Sequence, residues 1–212
     1  MKKFLLSLLS LAFLASSSIA GECVSEKELY MRSVIIEKYG RGAGSGVILD
    51  ERYILTAYHV VEDIERIWIR LPGEANLPVP AHLVRHDKEA DIALLQLEEP
   101  LVNVPRLHVV HSKDMHPNML VFLGAYAFAD PGRFGMVEGH YLAPARLKEG
   151  GPVTASFIHL KKRTYGGDSG GGVFNCFGDL VGIEVGNLAH QNRPYHIAAV
   201  SPAFIQWVLR AF

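Results

Sequence analysis

GGDSGGG, at residues 166–172, surrounds one acid and one hydroxyl, Asp168 and Ser169, with five glycines. Glycine lacks a Cβ and adopts backbone angles that other residues resist, so such a run marks a tight turn or a close approach of the backbone to a partner. A nucleophilic serine needs this setting, because its hydroxyl must project beside backbone N–H groups that can receive an oxyanion. A plain surface turn fits the stretch too. A base and its orienting acid must therefore be sought elsewhere in the chain.

Size and charge are those of a globular protein. The chain has 212 residues, 21 basic and 22 acidic side chains, and 49% hydrophobic residues. This composition fits one compact unit or two small subdomains with an ample core. Because the charge is balanced, we expect no nucleic-acid partner and no acidic tail.

Residues 1–20 have the pattern of a secretory signal peptide. Two lysines precede an apolar run over 4–14, and small residues lead to Ala20, where we predict cleavage. The run is too short to span a bilayer of ~30 Å comfortably. A short N-terminal segment, 21–33, follows. We therefore expect a periplasmic or secreted protein with no stable membrane insertion after cleavage.

Two cysteines, Cys23 and Cys176, are present. In an oxidising compartment they can form one disulfide that ties the mature N-terminus to the region after Ser169. Two unpaired, buried thiols are the alternative, and the sequence does not choose between them.

Short apolar runs recur at intervals of roughly 8–15 residues, with few helical periods between them, which favours an all-β barrel or sandwich. Residues 40–46 are predicted as a glycine-rich turn, and residues 100–118 as a crossover between two halves. A short helix is predicted at the C-terminus, where Ser201 can cap it and Pro202 suits its first turn. The predicted strands are 34–36, 46–49, 53–56, 67–69, 79–84, 92–97, 119–123, 153–160, 172–174, 180–185 and 196–200.

A candidate base and acid each lie at the edge of a predicted strand. His59 follows the strand 53–56, and an imidazole there can take a proton from a serine hydroxyl near neutral pH. Asp91 opens the apolar strand 92–97, where a carboxylate can be partly buried against an imidazole N–H. Taken singly, each has an ordinary alternative as a surface histidine or a turn residue.

Taken together, in the order His59, Asp91, Ser169, these motifs resemble the trypsin-like (chymotrypsin-fold) serine proteases, especially their short bacterial secreted members. The similarity covers about residues 34–212. The matching pieces are GSGVI at 44–48, ILTAYHVV at 54–61, DIALL at 91–95, GDSGG at 167–171 and LVGI at 180–183.

The resemblance implies two six-stranded antiparallel β-barrels with the site in the cleft between them. The first barrel, 34–115, would supply His59 and Asp91, and the second, 116–212, would supply Ser169 and end in the helix. Ser169 is then the nucleophile, His59 the general base and later acid, and Asp91 the group that orients the imidazole. The backbone N–H groups of Gly167 and Ser169 would form the oxyanion hole. The substrate would be a protein or peptide.

Serine chemistry of this kind needs no cofactor, and we predict no metal. Activity is expected to fall below roughly pH 6 as His59 protonates.

Departures from the family pattern concern the surroundings of the nucleophile. Tyr58 precedes His59 where many relatives have a small residue, and Gly172 replaces the usual proline. No Ile-Val-Gly-Gly sequence starts the predicted mature chain, so Asp168 must find a partner other than a freshly cut N-terminus.

The substrate pocket is less well defined. By resemblance, Arg163 would lie at its floor, and Glu184 and a strand near His196 would form its walls. A basic floor favours acidic side chains, whereas Glu184 would neutralise it or favour basic ones. A solvated loop over 161–163 is the alternative, and the preferred residue stays open.

Three other functions compete with this interpretation. The nucleophile elbow of esterases also fits GDSGG, but too few residues follow Ser169 for the rest of that fold. A non-catalytic binding module on the same protease fold is the stronger rival. Metal binding is weakly suggested by histidines without a completing cysteine or carboxylate, namely His82, His86, His108, His111 and His116.

Overall fold

The computed structural model describes residues 23–38, 41–73, 77–127, 133–147, 153–187 and 195–210. The predicted signal peptide lies outside these ranges. The N-terminal part contains α1 (Glu26–Arg32), β1 (Ser33–Lys38), β2 (Arg41–Ile48), β3 (Tyr53–Thr56), α2 (Tyr58–Val61), β4 (Ile67–Arg70), β5 (Val79–Asp87) and β6 (Ile92–Leu97). The C-terminal part contains β7 (Leu120–Tyr126), β8 (Phe134–Ala145), β9 (Ala155–Leu160), β10 (Gly172–Asn175), β11 (Leu180–Asn187), β12 (His196–Val200) and α3 (Pro202–Leu209).

The strands close into two six-stranded antiparallel barrels. The first has the order β1-β2-β3-β6-β5-β4 and the second β10-β11-β12-β9-β8-β7. Each barrel is filled by alternate residues of its strands, such as Ile54 and Leu95 in the first and Ile158 and Val173 in the second. The predicted all-β architecture of two barrels is confirmed.

A third apolar cluster joins the barrels. Leu55 from the first barrel and Phe174 and Ile183 from the second are fully buried in it, together with Ile205 of α3. The predicted C-terminal helix is confirmed, and its role is to cover this junction. Burial of such large side chains contributes about 1.5–3 kcal/mol each, which holds the two barrels in one arrangement.

The glycine-rich turn predicted over 40–46 is wrong, because Arg41–Ile48 is strand β2. Its glycines serve close packing instead of a bend. A Cβ on Gly44 would lie 2.8 Å from the carbonyl oxygen of Ser169, and a Cβ on Gly46 would lie 3.0 Å from Val34 and Ile54. These contacts are tertiary, so the local sequence gives no sign of them.

Strand β8 and helix α1 were not predicted. Gly135, Gly139 and Pro144 interrupt the apolar alternation of β8, although Gly139 is needed because its Cβ would lie 2.4 Å from the carbonyl of His159. Helix α1 has a sequence signal at its N-terminus. Ser25 and Glu28 form a capping box, in which each side chain bonds the other residue's backbone N–H.

The connection from β6 to β7 runs between the barrels, as the predicted crossover requires. It is held by backbone hydrogen bonds from Leu107 N–H to Leu49 and from Val110 N–H to Leu180, and it contains one 3-10 turn, Ser112–Asp114. A disulfide joins Cys23 to Cys176 and fixes the chain before α1 to the turn after β10. Among the described residues, no helix has the length and apolarity needed to cross a membrane.

Candidate active site

His59 and Asp91 meet because strands β3 and β6 are paired. Thr56 lies opposite Ala93 in this pairing, so the residues just after β3 and just before β6 lie side by side. The backbone N–H of His59 donates to Asp91 Oδ1 at 2.8 Å, and the imidazole Nδ1 lies 2.6 Å from Asp91 Oδ2. The carboxylate thus fixes both the backbone and the ring of His59, with Nε2 on the opposite side of the ring.

This contact changes the acidity of the imidazole. The hydrogen bond with Asp91 raises the pKa of His59 above its ordinary value, although partial burial opposes it, and the charges of Asp91 and Glu62 add to the increase. The side chain of His59 is 44% exposed and that of Asp91 is 20% exposed. The ring is therefore held by a shielded carboxylate while it remains open to a ligand. Because its pKa is raised, the imidazole of His59 becomes neutral at a higher pH than an ordinary histidine does.

Asp91 has an uncommon backbone conformation, with φ at 55°. Non-glycine residues visit this left-handed region rarely, and aspartate is among those that do so most easily. In this conformation the carbonyl of Asp91 also accepts a hydrogen bond from Tyr58 N–H at 3.2 Å. Backbone and side chain of Asp91 therefore both bind the segment that carries the imidazole.

The loop that carries Ser169 is bent at two glycines and bound on both sides. Gly167 and Gly170 have φ values of 101° and 86°, which L-residues with a Cβ rarely adopt. Gly171 N–H donates to Asp168 and closes the turn at 2.8 Å, and Gly170 N–H donates to Glu184 in β11 at 2.8 Å. A Cβ on Gly170 would lie 2.0 Å from the carbonyl oxygen of Ser45, so only glycine fits there.

Ser45 joins the first barrel to this loop, and its role was not recognised in the sequence. Its backbone N–H donates to the carbonyl of Ser169 at 2.8 Å, and its hydroxyl donates to the carbonyl of Gly167 at 2.8 Å. The hydroxyl oxygen accepts from Tyr126 N–H at 2.9 Å, and the carbonyl of Ser45 accepts from the Thr56 hydroxyl at 2.8 Å. The sequence signal was a single serine between glycines in an apolar segment.

Asp168 has the partner that the sequence left unnamed. Its side chain is only 8% exposed, and Oδ2 accepts a hydrogen bond from the backbone N–H of Tyr165 at 2.7 Å. Burial raises the pKa of Asp168, and this hydrogen bond partly offsets the increase. The carboxyl therefore stabilises the turn from within its own loop.

Glu184 lies beside the loop that carries Ser169, bonded through its backbone to Gly170 and Gly171. It is 2% exposed, and its Oε2 is buried without a hydrogen-bond partner. Burial raises its pKa to about 8, helped by the charges of Asp168 and Asp91, whereas hydrogen bonds from the Ser169 side chain and the Gly186 backbone lower it.

The other two predicted pocket residues, Arg163 and His196, differ in their exposure. Arg163 is exposed in the loop after β9. His196 is half-buried in β12, with its Nδ1 buried and its ring 4.8 Å from that of His159. A place for either residue in a substrate pocket stays a prediction.

Tyr58, the residue before His59, packs against a second aromatic ring. Its ring stacks on His86, with centroids 4.4 Å apart and planes inclined by 9°. As for the histidine clusters, no group of three or more metal-ligating side chains within the described ranges is arranged to hold a metal ion.

Two closed barrels, a histidine–aspartate pair and a glycine-bent serine loop are the features of a chymotrypsin-type peptidase domain. Residues 44–183 match the family described as the trypsin-like peptidase domain, and the chain belongs to this family. The resemblance drawn from the motifs is thereby confirmed.

Curated relatives are bacterial periplasmic proteases. A probable periplasmic serine protease, do/HhoA-like, of Haemophilus influenzae is 28% identical over 172 residues, which are 77% of this chain and 34% of that protein. The periplasmic pH-dependent serine endoprotease DegQ of Escherichia coli is 30% identical over 154 residues, 70% of this chain and 32% of that protein. The chain thus spans about a third of the length of these relatives.

Solved structures share the fold. The HtrA-type protease AlgW with a tripeptide superimposes with a TM-score of 0.72 at 22% identity, covering 89% of this chain and 63% of that one. A serine endoprotease from Yersinia pestis gives a TM-score of 0.69 at 22% identity, covering 89% and 66%.

Proposed function

We propose that this chain is an exported serine endopeptidase that cleaves peptide bonds through an acyl-enzyme formed on Ser169. The observation that carries the proposal is the double contact of Asp91 with His59, at the backbone N–H and at Nδ1, next to the glycine-bent loop of Ser169. An imidazole fixed in this way presents Nε2 as a base.

The reaction begins when the Ser169 hydroxyl turns from Glu184 towards His59 Nε2. As the oxygen attacks the scissile carbonyl carbon, Nε2 takes its proton and the carbonyl oxygen becomes an oxyanion. The N–H groups of Gly167 and Ser169 receive that charge. The imidazolium then protonates the leaving amine, and the C–N bond breaks to give the acyl-enzyme.

Deacylation repeats these steps with water. His59 takes a proton from water, whose oxygen attacks the ester carbonyl, and then returns the proton to Ser169 as the acid product leaves. Asp91 stabilises the imidazolium in both halves and keeps the tautomer that exposes Nε2 as an acceptor. Protons and electron pairs balance without a cofactor.

Export is supported by three observations. Residues 1–20 have the pattern of a signal peptide. The disulfide between Cys23 and Cys176 suits an oxidising compartment. The curated relatives are named as periplasmic proteases.

A fluorophosphonate probe tests the proposal, because it reacts only with an activated serine. Purified protein should gain one probe mass at Ser169, and the variants Ser169→Ala and His59→Ala should not react. Ser201→Ala is the matched control, because the Ser201 side chain makes no capping hydrogen bond to α3, and it should label like wild type. Labelling of the Ser169→Ala variant would contradict the assignment of the nucleophile.

A binding module on the same fold is the second candidate. It is favoured by one observation, that the Ser169 side chain shares a hydrogen bond with the buried carboxyl of Glu184. If folded wild-type protein does not react with the probe and cleaves no peptide between pH 6 and 9, the binding module replaces the peptidase as the proposed function.

A further inference from the structure

A groove lies between helix α1, the connection that runs from β6 to β7, and the turn after β10. Its volume is about 610 Å³, within the range of about 300–1,000 Å³ that small-molecule sites occupy. Over the described residues its lining contains none of the proposed triad, His59, Asp91 and Ser169. The groove is therefore a candidate binding site separate from the proposed active site.

The walls of this groove are held in place by bonds to the rest of the fold. The disulfide between Cys23 and Cys176 joins the segment before α1 to the turn after β10. Val24 N–H donates to the carbonyl of Cys176 at 2.9 Å, and in the connection Leu107 N–H donates to the carbonyl of Leu49 at 2.6 Å. A ligand would therefore meet a preformed groove, and little ordering of the protein would oppose its binding.

Much of the lining is apolar. Leu29 and Leu107 are buried, and Val104 beside them is half-buried. Two further apolar side chains of the lining extend into solvent, since Met31 is 53% exposed and Phe177 is 89% exposed. Single exposed apolar residues are ordinary, but exposed apolar residues grouped around a groove mark an interaction site. The lining therefore favours a ligand with an apolar body.

A cation of the same lining has no acid to balance it. Arg32 lies in the last turn of α1, is half-buried, and donates from Nη1 to the carbonyl oxygen of Pro105 at 2.7 Å. Burial lowers the pKa of its guanidinium, and among the described residues no acid acts against that effect. Shielding a charge from water is costly unless an opposite charge compensates it. The guanidinium has five N–H donors in a fork that matches a carboxylate.

The other charged residues of the lining leave the groove positive. Lys27 is exposed and adds a second cation. Glu28 is an acid, but its Oε2 already accepts hydrogen bonds from the Ser25 N–H at 2.8 Å and from the Ser25 hydroxyl at 2.7 Å. Glu28 is thus engaged at the start of α1, and the groove favours an anion.

We propose that this groove binds a single-chain amphiphile with an anionic head, of the chemical class of a fatty acid. Its carboxylate pairs with Arg32 through charge-assisted hydrogen bonds, and its alkyl chain covers the apolar lining and the exposed ring of Phe177. A peptide would bring backbone N–H and C=O groups that an apolar lining cannot bond, whereas an alkyl chain brings none. The inference goes beyond the proposed peptidase function and does not depend on it.

Two amphiphiles of opposite charge and equal chain length provide the test. Dodecanoate and dodecyltrimethylammonium are titrated into the purified protein by calorimetry at pH 8, below the concentrations at which they form micelles. Wild type should bind one dodecanoate with a Kd at least about tenfold lower than that for the cation, as expected of hydrogen bonds between charged groups. Decanoate, which is two CH2 groups shorter, should bind up to about tenfold more weakly than dodecanoate.

Substitutions in the groove separate the contribution of the charge from that of the alkyl chain. Arg32→Gln should weaken dodecanoate at least about tenfold and leave binding of the cation unchanged, whereas Phe177→Ser should weaken both. The matched controls Arg66→Gln and Leu77→Ser change an exposed cation and an exposed apolar residue outside the lining. Both controls should bind like wild type. Ser169→Ala should also bind like wild type, because the groove does not include the nucleophile.

Three results would overturn the inference: no saturable binding of dodecanoate, equal affinity for the two amphiphiles, or undiminished affinity in Arg32→Gln. Binding to vesicles of phosphatidylglycerol without binding of monomeric dodecanoate would overturn it too, because this face would then dock on a membrane. If Arg32→Gln does not fold, as judged by its thermal transition, the wild-type preference and the Phe177→Ser variant decide. Protein that binds dodecanoate as expected but does not react with the fluorophosphonate probe would lose the proposed function and keep the inference.

Discussion

Ser45 donates its hydroxyl hydrogen to the carbonyl oxygen of Gly167 at 2.8 Å, across the boundary between the two barrels. Ser45 is fully buried, and the same hydroxyl accepts a hydrogen bond from Tyr126 N–H at 2.9 Å. Gly167 is the residue whose N–H is proposed to bind the oxyanion. Ser45 is therefore a positioning residue, because it fixes the orientation of the peptide unit that follows that N–H.

Replacing Ser45 by alanine should lower both stability and turnover. The change leaves the Gly167 carbonyl and the Tyr126 N–H without a partner inside the protein, which costs about 1–3 kcal/mol for each unsatisfied group. We expect kcat to fall at least about tenfold, with a smaller change in KM, since oxyanion binding belongs to the transition state. Urea unfolding and steady-state kinetics measure the two effects.

Ser33→Ala is the matched control for this prediction. Ser33 is also fully buried, and its hydroxyl donates to the carbonyl of Leu29 at 2.9 Å, away from the site. It should lose stability to a similar extent and retain kcat. An equal loss of kcat in both variants would show that Ser45 acts only through stability.

The acid limb of the pH profile should lie higher than that of an ordinary histidine. The hydrogen bond with Asp91 raises the pKa of His59 above 6.5. The base must be neutral to act, so kcat/KM falls as the pH decreases through a midpoint above 6.5, where the imidazole becomes protonated. The midpoint is measured with a neutral peptide substrate. NMR titration of the His59 ring in the Ser169→Ala variant measures the pKa of the same imidazole independently.

Asp91→Asn should move the His59 midpoint downwards, because its principal cause is removed. Turnover should decrease by about 10⁴-fold, the loss known when the aspartate of such a triad is neutralised. A wild-type midpoint at or below pH 6.5, or an unchanged imidazole titration in Asp91→Asn, would contradict the proposed contact.

Gly170→Ala should be far more harmful than a substitution at another glycine with positive φ. The left-handed conformation alone costs a residue with a Cβ about 1–2 kcal/mol. At Gly170 the added Cβ would also lie 2.0 Å from the Ser45 carbonyl oxygen and 2.3 Å from Thr56 Oγ1, so the loop of Ser169 must shift. We expect a further loss of about 1–3 kcal/mol from overpacking and loss of probe labelling.

Gly73→Ala is the control that separates the cost of a positive φ from the cost of a close Cβ contact. Gly73 has φ at 75°, and nothing lies within 4 Å of the position of its Cβ. This variant should show only the conformational cost and full labelling. Equal stabilities of the two variants would mean that the contact with Ser45 is not as close as described.

The disulfide should contribute to stability and not to catalysis. It links residues 153 positions apart, and removing a bond that closes so long a loop typically costs about 2–5 kcal/mol. The double variant Cys23→Ser with Cys176→Ser should unfold at lower urea concentration and label normally at Ser169. Wild type treated with a reductant is the control and should lose the same amount. No change in either would mean that the bond does not form.

Local pattern was enough to predict most of the fold. The segments 53–56 and 92–97 were predicted at the bounds where β3 and β6 occur, because both are apolar, rich in branched residues and ended by polar ones. Order and spacing along the chain were enough to propose the site, since His59 and Asp91 follow and precede those two strands.

Tertiary contact decided what the sequence did not reveal. The glycines around Gly44 predict a turn, whereas Gly44 is constrained by the close approach of the Ser169 carbonyl. The role of Ser45 depends on Gly167, which is 122 residues away. The burial of Glu184 depends on the packing of β11 against the loop that carries Ser169. No local pattern encodes such contacts.

Glu184 should also make the stability of the fold dependent on pH. Its pKa is raised from 4.5 to about 8 in the folded protein, chiefly by burial, so the folded state binds the proton more tightly than the unfolded state. The stabilising contribution is fully present below about pH 4.5 and is lost as the pH rises through about 8. His59, whose pKa is also raised, acts in the same direction.

The difference between wild type and Glu184→Gln therefore isolates the contribution of the Glu184 carboxyl. The free energy of unfolding of wild type should decrease more steeply between pH 6 and 9 than that of the variant, which cannot ionise, and Glu184→Gln should be relatively more stable at pH 9. Urea unfolding at each pH measures this difference, with Glu65→Gln as the control that should follow wild type. Parallel profiles for wild type and Glu184→Gln would show that the carboxyl is solvated in the folded protein.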